Sequence, residues 1–172
     1  KDDMLDGMVE LVATELPSPP IDGDWRAAMQ QRARGTHDVL MAHPWAVTLF
    51  VSRINVGPAM LLYVDQTIGC LREAGFSYAM ADYAWNTLDA HIYGFTLQRL
   101  NFPFAPDEYA DTAEQFLPQL PPKAYPYLRG MAEEVMAGRH DGVQDLAFGV
   151  DLILDGLGRQ KALGGAGRSE GA

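Results

Sequence analysis

Apolar residues recur at helical spacing along almost the whole chain, and the breaks between these stretches fall at prolines and glycines. Met4, Leu5, Met8, Val9, Leu11, Val12 and Leu16 mark a first helix over 1–16, stopped by Pro17, Pro19 and Pro20. Asp24 offers a carboxylate cap to a second helix over 25–42, with Ala28, Met29, Ala33, Val39, Leu40 and Met41 on its apolar side. Pro44 opens a short helix through Ser52, because proline has no N–H to leave unpaired in a first turn. After Gly57-Pro58, a helix over 59–74 closes at Gly75. Ser77 caps the longest uninterrupted segment, 78–100, which the sequence NFPFAP ends. Two shorter helices, 107–117 and 125–137, flank a proline-rich connection, and Gly138 stops the second. No stretch alternates with period two for long, so the expected fold is all-α.

The last helix, expected over 141–160, is apolar on more than one side: Ala147, Phe148, Val150, Leu152, Ile153, Leu154 and Leu157 cannot all face one core. Its second side belongs either to another copy of the chain or to a larger core of its own, and the pattern alone admits both. Gly149 and Gly156, with Leu152 and Ile153 between them, form a narrow stripe that a second helix could approach. Each glycine costs a helix roughly 1 kcal/mol against alanine, which points to a packing reason for both. The Gly-rich stretch 161–172 is expected to be a flexible tail.

Composition narrows the function. The 172 residues, 48% of them hydrophobic, suit one domain with its own core. A formal net charge of −10 argues against a surface that holds DNA by itself. The single cysteine, Cys70, excludes a disulfide framework and a thiolate metal cluster, and fits a reducing, cytoplasmic setting. No apolar run approaches the ~18 residues of a membrane span. Zinc-protease, nucleophile-elbow, phosphate-loop and di-iron patterns are all absent. His37, His43 and His91 are not at metal-ligand spacing, so no catalytic residue, metal or cofactor is assigned.

The long helix carries the stripe of most chemical interest. Asp82, Trp85, Asn86, Asp89 and Tyr93 fall at i, i+3, i+4, i+7 and i+11 and share one side. Such a stripe either lines a cavity, with a few polar groups orienting a ligand, or is a wet face with two incidental aromatics. Residues able to close a cavity lie on the neighbouring helices: Arg32 and Thr36, then Phe50 and Arg53, then Met60, Val64 and Thr67.

Taken in order, Trp25, His43-Pro44-Trp45, the Gly75-Phe76-Ser77 corner, Gly94 and the run Phe148 to Leu157 resemble the C-terminal regulatory domain of the TetR family of bacterial transcriptional repressors. The likeness is to the tetracycline-repressor branch and spans roughly 25–160. It implies an all-helical domain that pairs with a second copy through a four-helix bundle built from the long and last helices. It also implies that 1–16 is the connecting helix from an N-terminal helix-turn-helix head absent from this sequence, with 17–160 the effector-binding and dimerisation domain. Function would then be release of operator DNA when a small organic ligand binds; a helical small-molecule enzyme and a ligand-free dimerisation module are the rivals.

Residue by residue, the resemblance puts the effector against Arg32, Thr36, Phe50, Arg53, Val64, Thr67, Asp82, Trp85, Asn86 and Asp89. It puts the homodimer seam at Ala84, His91, Phe95, Gly149, Leu152, Ile153 and Gly156. Phe50 or Val51 stands where that branch places a metal-binding histidine, and Gln98 where it has a carboxylate, so an effector held without metal is expected.

Overall fold

The structure is a computed structural model that describes residues 2–101, 108–140 and 145–169. It is helical, with no strand among the described residues. The chain divides into two compact units, one made of Lys1–Asn101 with Leu146–Ala172, the other of Phe102–Asp145.

In the first unit, α1 (Asp2–Ala13), α2 (Trp25–Ala42), α3 (Pro44–Ser52), α4 (Pro58–Glu73), α5 (Tyr78–Asn101) and α8 (Leu146–Ser169) follow the predicted segments closely. The capping signals explain the agreement. Asp24 accepts the Arg26 N–H at 2.9 Å, and Pro44 and Pro58 sit in the first turns of α3 and α4. Gly75, at a φ of +92°, reverses the chain after α4 in the left-handed region that only glycine enters freely.

Two ends differ from expectation. α1 stops at Ala13, and the following turn delivers Leu16 into the core without further helix. α8 runs to Ser169, so 161–169 is helical where a tail is expected. Extending an existing helix adds a hydrogen bond for each residue fixed, which offsets the poor propensity of the glycines. Residues 141–144, the expected start of this helix, lie outside the described residues.

α5 is the axis of this unit, packed by α2, α3, α4 and α8. One side of it feeds a core in which Ala81, Ala84, Leu88 and Ile92 meet Met29, Leu71, Phe76, Val150 and Leu154. A second core gathers Val9, Val12 and Leu16 from the α1 region with Leu40, Val47, Phe50, Met60 and Tyr63. Along α2, Ala28, Met29 and Ala33 serve the first core and Leu40 the second. Along α4, Cys70 and Leu71 serve the first and Met60 and Tyr63 the second. The polar positions Arg32, Thr36 and Thr67 therefore fall at the seam between the two.

The second unit is a helical hairpin. Here α6 (Tyr109–Phe116) leads through a 3-10 turn (Leu117–Gln119) to α7 (Pro126–Met136). Arg129 ties the hairpin by donating to the carbonyls of Leu117 and Leu120, and Gly138, at φ +67°, ends α7 as the sequence predicts. No helix among the described residues is long and apolar enough to cross a membrane.

Candidate ligand-binding site

A cavity of about 480 Å³ opens within the first unit. Phe50, Val51, Arg53, Ile54 and Asn55 come to it from α3 and the segment beyond, Met60, Leu61 and Val64 from α4, and Trp85, Asn86, Asp89, Ala90 and Tyr93 from α5. Of the ten residues expected at a ligand, Phe50, Arg53, Val64, Trp85, Asn86 and Asp89 are brought together here. Arg32, Thr36 and Thr67 are buried behind this wall and do not line it. Asp82 lies on the exposed side of α5, where its carboxylate and carbonyl both accept from the Asn86 side-chain amide, at 3.0 and 2.9 Å.

Arg32 is only 1% exposed and organises the floor. Its Nη2 donates to Asp89 Oδ1 at 2.6 Å and its Nε to Thr67 Oγ1 at 3.0 Å, while the guanidinium stacks 4.6 Å above the Tyr63 ring. The remaining nitrogen, Nη1, is buried with no hydrogen-bond partner among the described residues. Asp89 Oδ2 accepts from Trp85 Nε1 at 2.7 Å and from the Tyr93 hydroxyl at 3.3 Å. The Tyr63 hydroxyl shares a 2.7 Å hydrogen bond with Thr36. Two carboxylate oxygens thus serve three donors, which fixes Asp89 against rotation.

This electrostatic arrangement keeps the phenols neutral. Burial opposes the Tyr63 phenolate and pushes its pKa up to about 12; burial, then the Asp89 charge, raises Tyr93 well above the ordinary tyrosine value. Tyr93 therefore presents an O–H donor throughout the neutral range. Burial works against the Arg32 charge, yet its pKa lies above the ordinary arginine value, and in the neutral range the Asp89 carboxylate is the charge that answers the guanidinium.

Ile54, Asn55, Leu61 and Ala90 line the cavity without having been singled out from the sequence, and Val51, noted there only as an alternative to Phe50, lines it too. Ala90, four residues past Asn86, lies within reach of the α5 stripe, so spacing could have found it. Residues 54 and 55 sit in an irregular link between two proline-led helices, where no periodicity reports direction. Two histidines are held by side-chain hydrogen bonds: His37 Nδ1 meets Thr96 Oγ1 at 2.9 Å, and His43 Nε2 meets Glu15 Oε2 at 3.0 Å.

The residues expected at a seam between copies divide. Ala84 is 0% exposed inside the chain's own core, so no second copy can touch it. Gly149 is occupied from within, because the His91 ring of α5 lies where a side chain on that glycine would have to go. Phe95 is half-buried beside His37 and His91. Leu152 points outward, as do Phe148 and Tyr83, and Ile153 is half-buried. A side chain added at Gly156 would meet only the tip of Arg159, at 4.0 Å.

A protein-family comparison matches residues 16–161 to the tetracyclin repressor-like C-terminal domain. The chain belongs to this family. Among its relatives is the HTH-type transcriptional repressor DrrR1 of Streptomyces coeruleorubidus, 28% identical over 167 residues. That match covers 91% of this chain and 61% of the repressor, so the chain spans less than two thirds of that protein. Two solved TetR-family structures from Streptomyces coelicolor share the fold. ActR in complex with actinorhodin superposes with a TM-score of 0.75 at 23% identity, covering 94% of this chain and 77% of that one. The regulator SCO7222 gives 0.70 at 25% identity, covering 94% and 76%.

Proposed function

We propose that this TetR-type domain is the effector-binding and dimerising part of a transcriptional repressor, with α1 the helix connecting it to a DNA-binding head in the full-length protein. The cavity carries the reading: three aromatic rings, Phe50, Trp85 and Tyr93, line it together with one carboxylate, Asp89, that a buried arginine holds in place. Such a site suits an organic molecule with a flat apolar body and polar edges. The ActR complex with actinorhodin, on the same fold, supports an organic effector. Phe50 or Val51 stands where the resemblance calls for a metal-binding histidine, and Gln98 where it calls for a carboxylate, so the reading keeps the effector metal-free.

The effector would act by binding one arrangement of the dimer better than the other, since a ligand with equal affinity for both shifts nothing. A coupling of ~1–3 kcal/mol is typical of such switches. Operator-fragment anisotropy with the full-length protein provides the test. A ligand that raises the melting temperature should also weaken operator binding. If every ligand that stabilises the domain leaves operator affinity unchanged, the repressor reading falls.

Pairing of copies would use the outward side of α8, where Phe148 and Leu152 are 67% and 57% exposed, beside the open Gly156. Within one chain a Cβ at this position meets only the mobile tip of Arg159, at 4.0 Å, so Gly156→Leu should fold and improve helix propensity by up to about 1 kcal/mol. At a seam the same side chain would hold the helices apart. Sedimentation should therefore show Gly156→Leu as a folded monomer; an intact dimer would place the seam elsewhere.

A further inference from the structure

Arg53 belongs both to the cavity and to α1. It is the only arginine or lysine among the described cavity-lining residues, and its Nε and Nη2 donate to Asp6 Oδ1 of α1 at 3.1 and 2.7 Å. One helical turn along α1, the Glu10 carboxylate accepts the Ala59 N–H at 2.5 Å, at the start of α4. That carboxylate lies so close over Gly57 that any side chain there would displace it. Asp6 and Glu10, four residues apart on one side of α1, thus grip both ends of the segment from Arg53 to Ala59. Arg53, Ile54 and Asn55 of the same segment form one edge of the cavity.

We propose that the cavity recognises an acidic group on its ligand through Arg53, in competition with Asp6, so that an acidic ligand loosens the hold of α1 on the α3–α4 segment. This rests on the effector reading above and specifies its ligand chemistry. The physical case is a contrast of surroundings. Asp6 is 55% exposed, so water and salt screen its pull on Arg53. A carboxylate entering the cavity would meet the same guanidinium against the apolar walls of Phe50, Val51 and Ile54, where the attraction is screened less. The Asp89 charge does not stand in the way, because Arg32 answers it at 2.6 Å.

Two probes of the same shape test this by calorimetry on the intact protein: 2-naphthoate, which is anionic, and uncharged 2-naphthamide. The naphthoate should bind about tenfold more tightly, the worth of one charge-assisted contact. Arg53→Gln should remove that preference, so that the two probes bind alike, and an unchanged helical circular-dichroism spectrum shows that the variant is folded. Asp6→Asn lies outside the cavity and should tighten naphthoate alone, by about two- to fivefold, the strength of an exposed ion pair. Amide exchange over 56–61 should quicken with naphthoate and not with naphthamide as the Glu10 hold on Ala59 weakens. Equal affinity for the two probes, no gain in Asp6→Asn, or unchanged exchange would each overturn the inference. So would failure of both probes to bind, whereas the effector reading is decided separately by operator release.

Discussion

Asp89→Ala is expected to destabilise the protein by about 3 kcal/mol, the usual cost of leaving a buried charge without its partner. Arg32 has a fully buried side chain, and Asp89 is its only ion-pair partner among the described residues. Arg32 cannot escape by losing its proton, because a guanidinium stays charged at any accessible pH. Trp85 and Tyr93 would lose their acceptor at the same time. With a urea m-value of about 2 kcal/mol/M, the unfolding midpoint should fall by about 1.5 M. The double variant Arg32→Met with Asp89→Leu removes both charges and should lie within about 1 kcal/mol of the parent, since apolar replacement of a buried pair is often neutral. A single-variant loss below about 1 kcal/mol would show that water reaches Arg32 and that the cavity floor is not the rigid support described above.

Leu154→Ala should cost about 2–5 kcal/mol through lost burial and the void left behind. Leu154 is 0% exposed in the core that joins α8 to α5, α2 and α4. Its loss acts within each chain, so the drop in melting temperature should not depend on protein concentration. Leu152, two residues earlier and on the outward side, provides the contrast. Leu152→Ala should change little in a dilute monomer and show its effect as a concentration-dependent melt, because a partner stabilises by mass action. Identical behaviour of the two variants would remove the case for an outer pairing face on α8.

The helices were legible because their signals are local. A cap such as Asp24, a first-turn proline such as Pro44 or Pro58, and a closing glycine such as Gly75 each act within one turn of chain. The α5 stripe was legible for the same reason, and Trp85, Asn86 and Asp89 do face one cavity. Periodicity reports which residues share a side of a helix, but not what lies opposite. It could not show that Asn86 lines the cavity while its hydrogen-bond partner Asp82 does not. Nor could it show that Arg32, Thr36 and Thr67 stand behind the wall rather than in it.

The sequence by itself determined that the protein is helical, where most of the helices begin and end, and that α8 is apolar on two sides. Tertiary structure alone decided how those sides are used. Val150, Leu154 and Leu157 turn into the chain's own core, Phe148 and Leu152 face outward, and the space over Gly149 goes to His91 while that over Gly156 stays open. The pairing of Arg53 with Asp6, and of Arg32 with Asp89, was equally hidden. These partners are separated by 47 and 57 positions, and only packing decides which long side chains, each with many rotamers, meet across such distances along the chain.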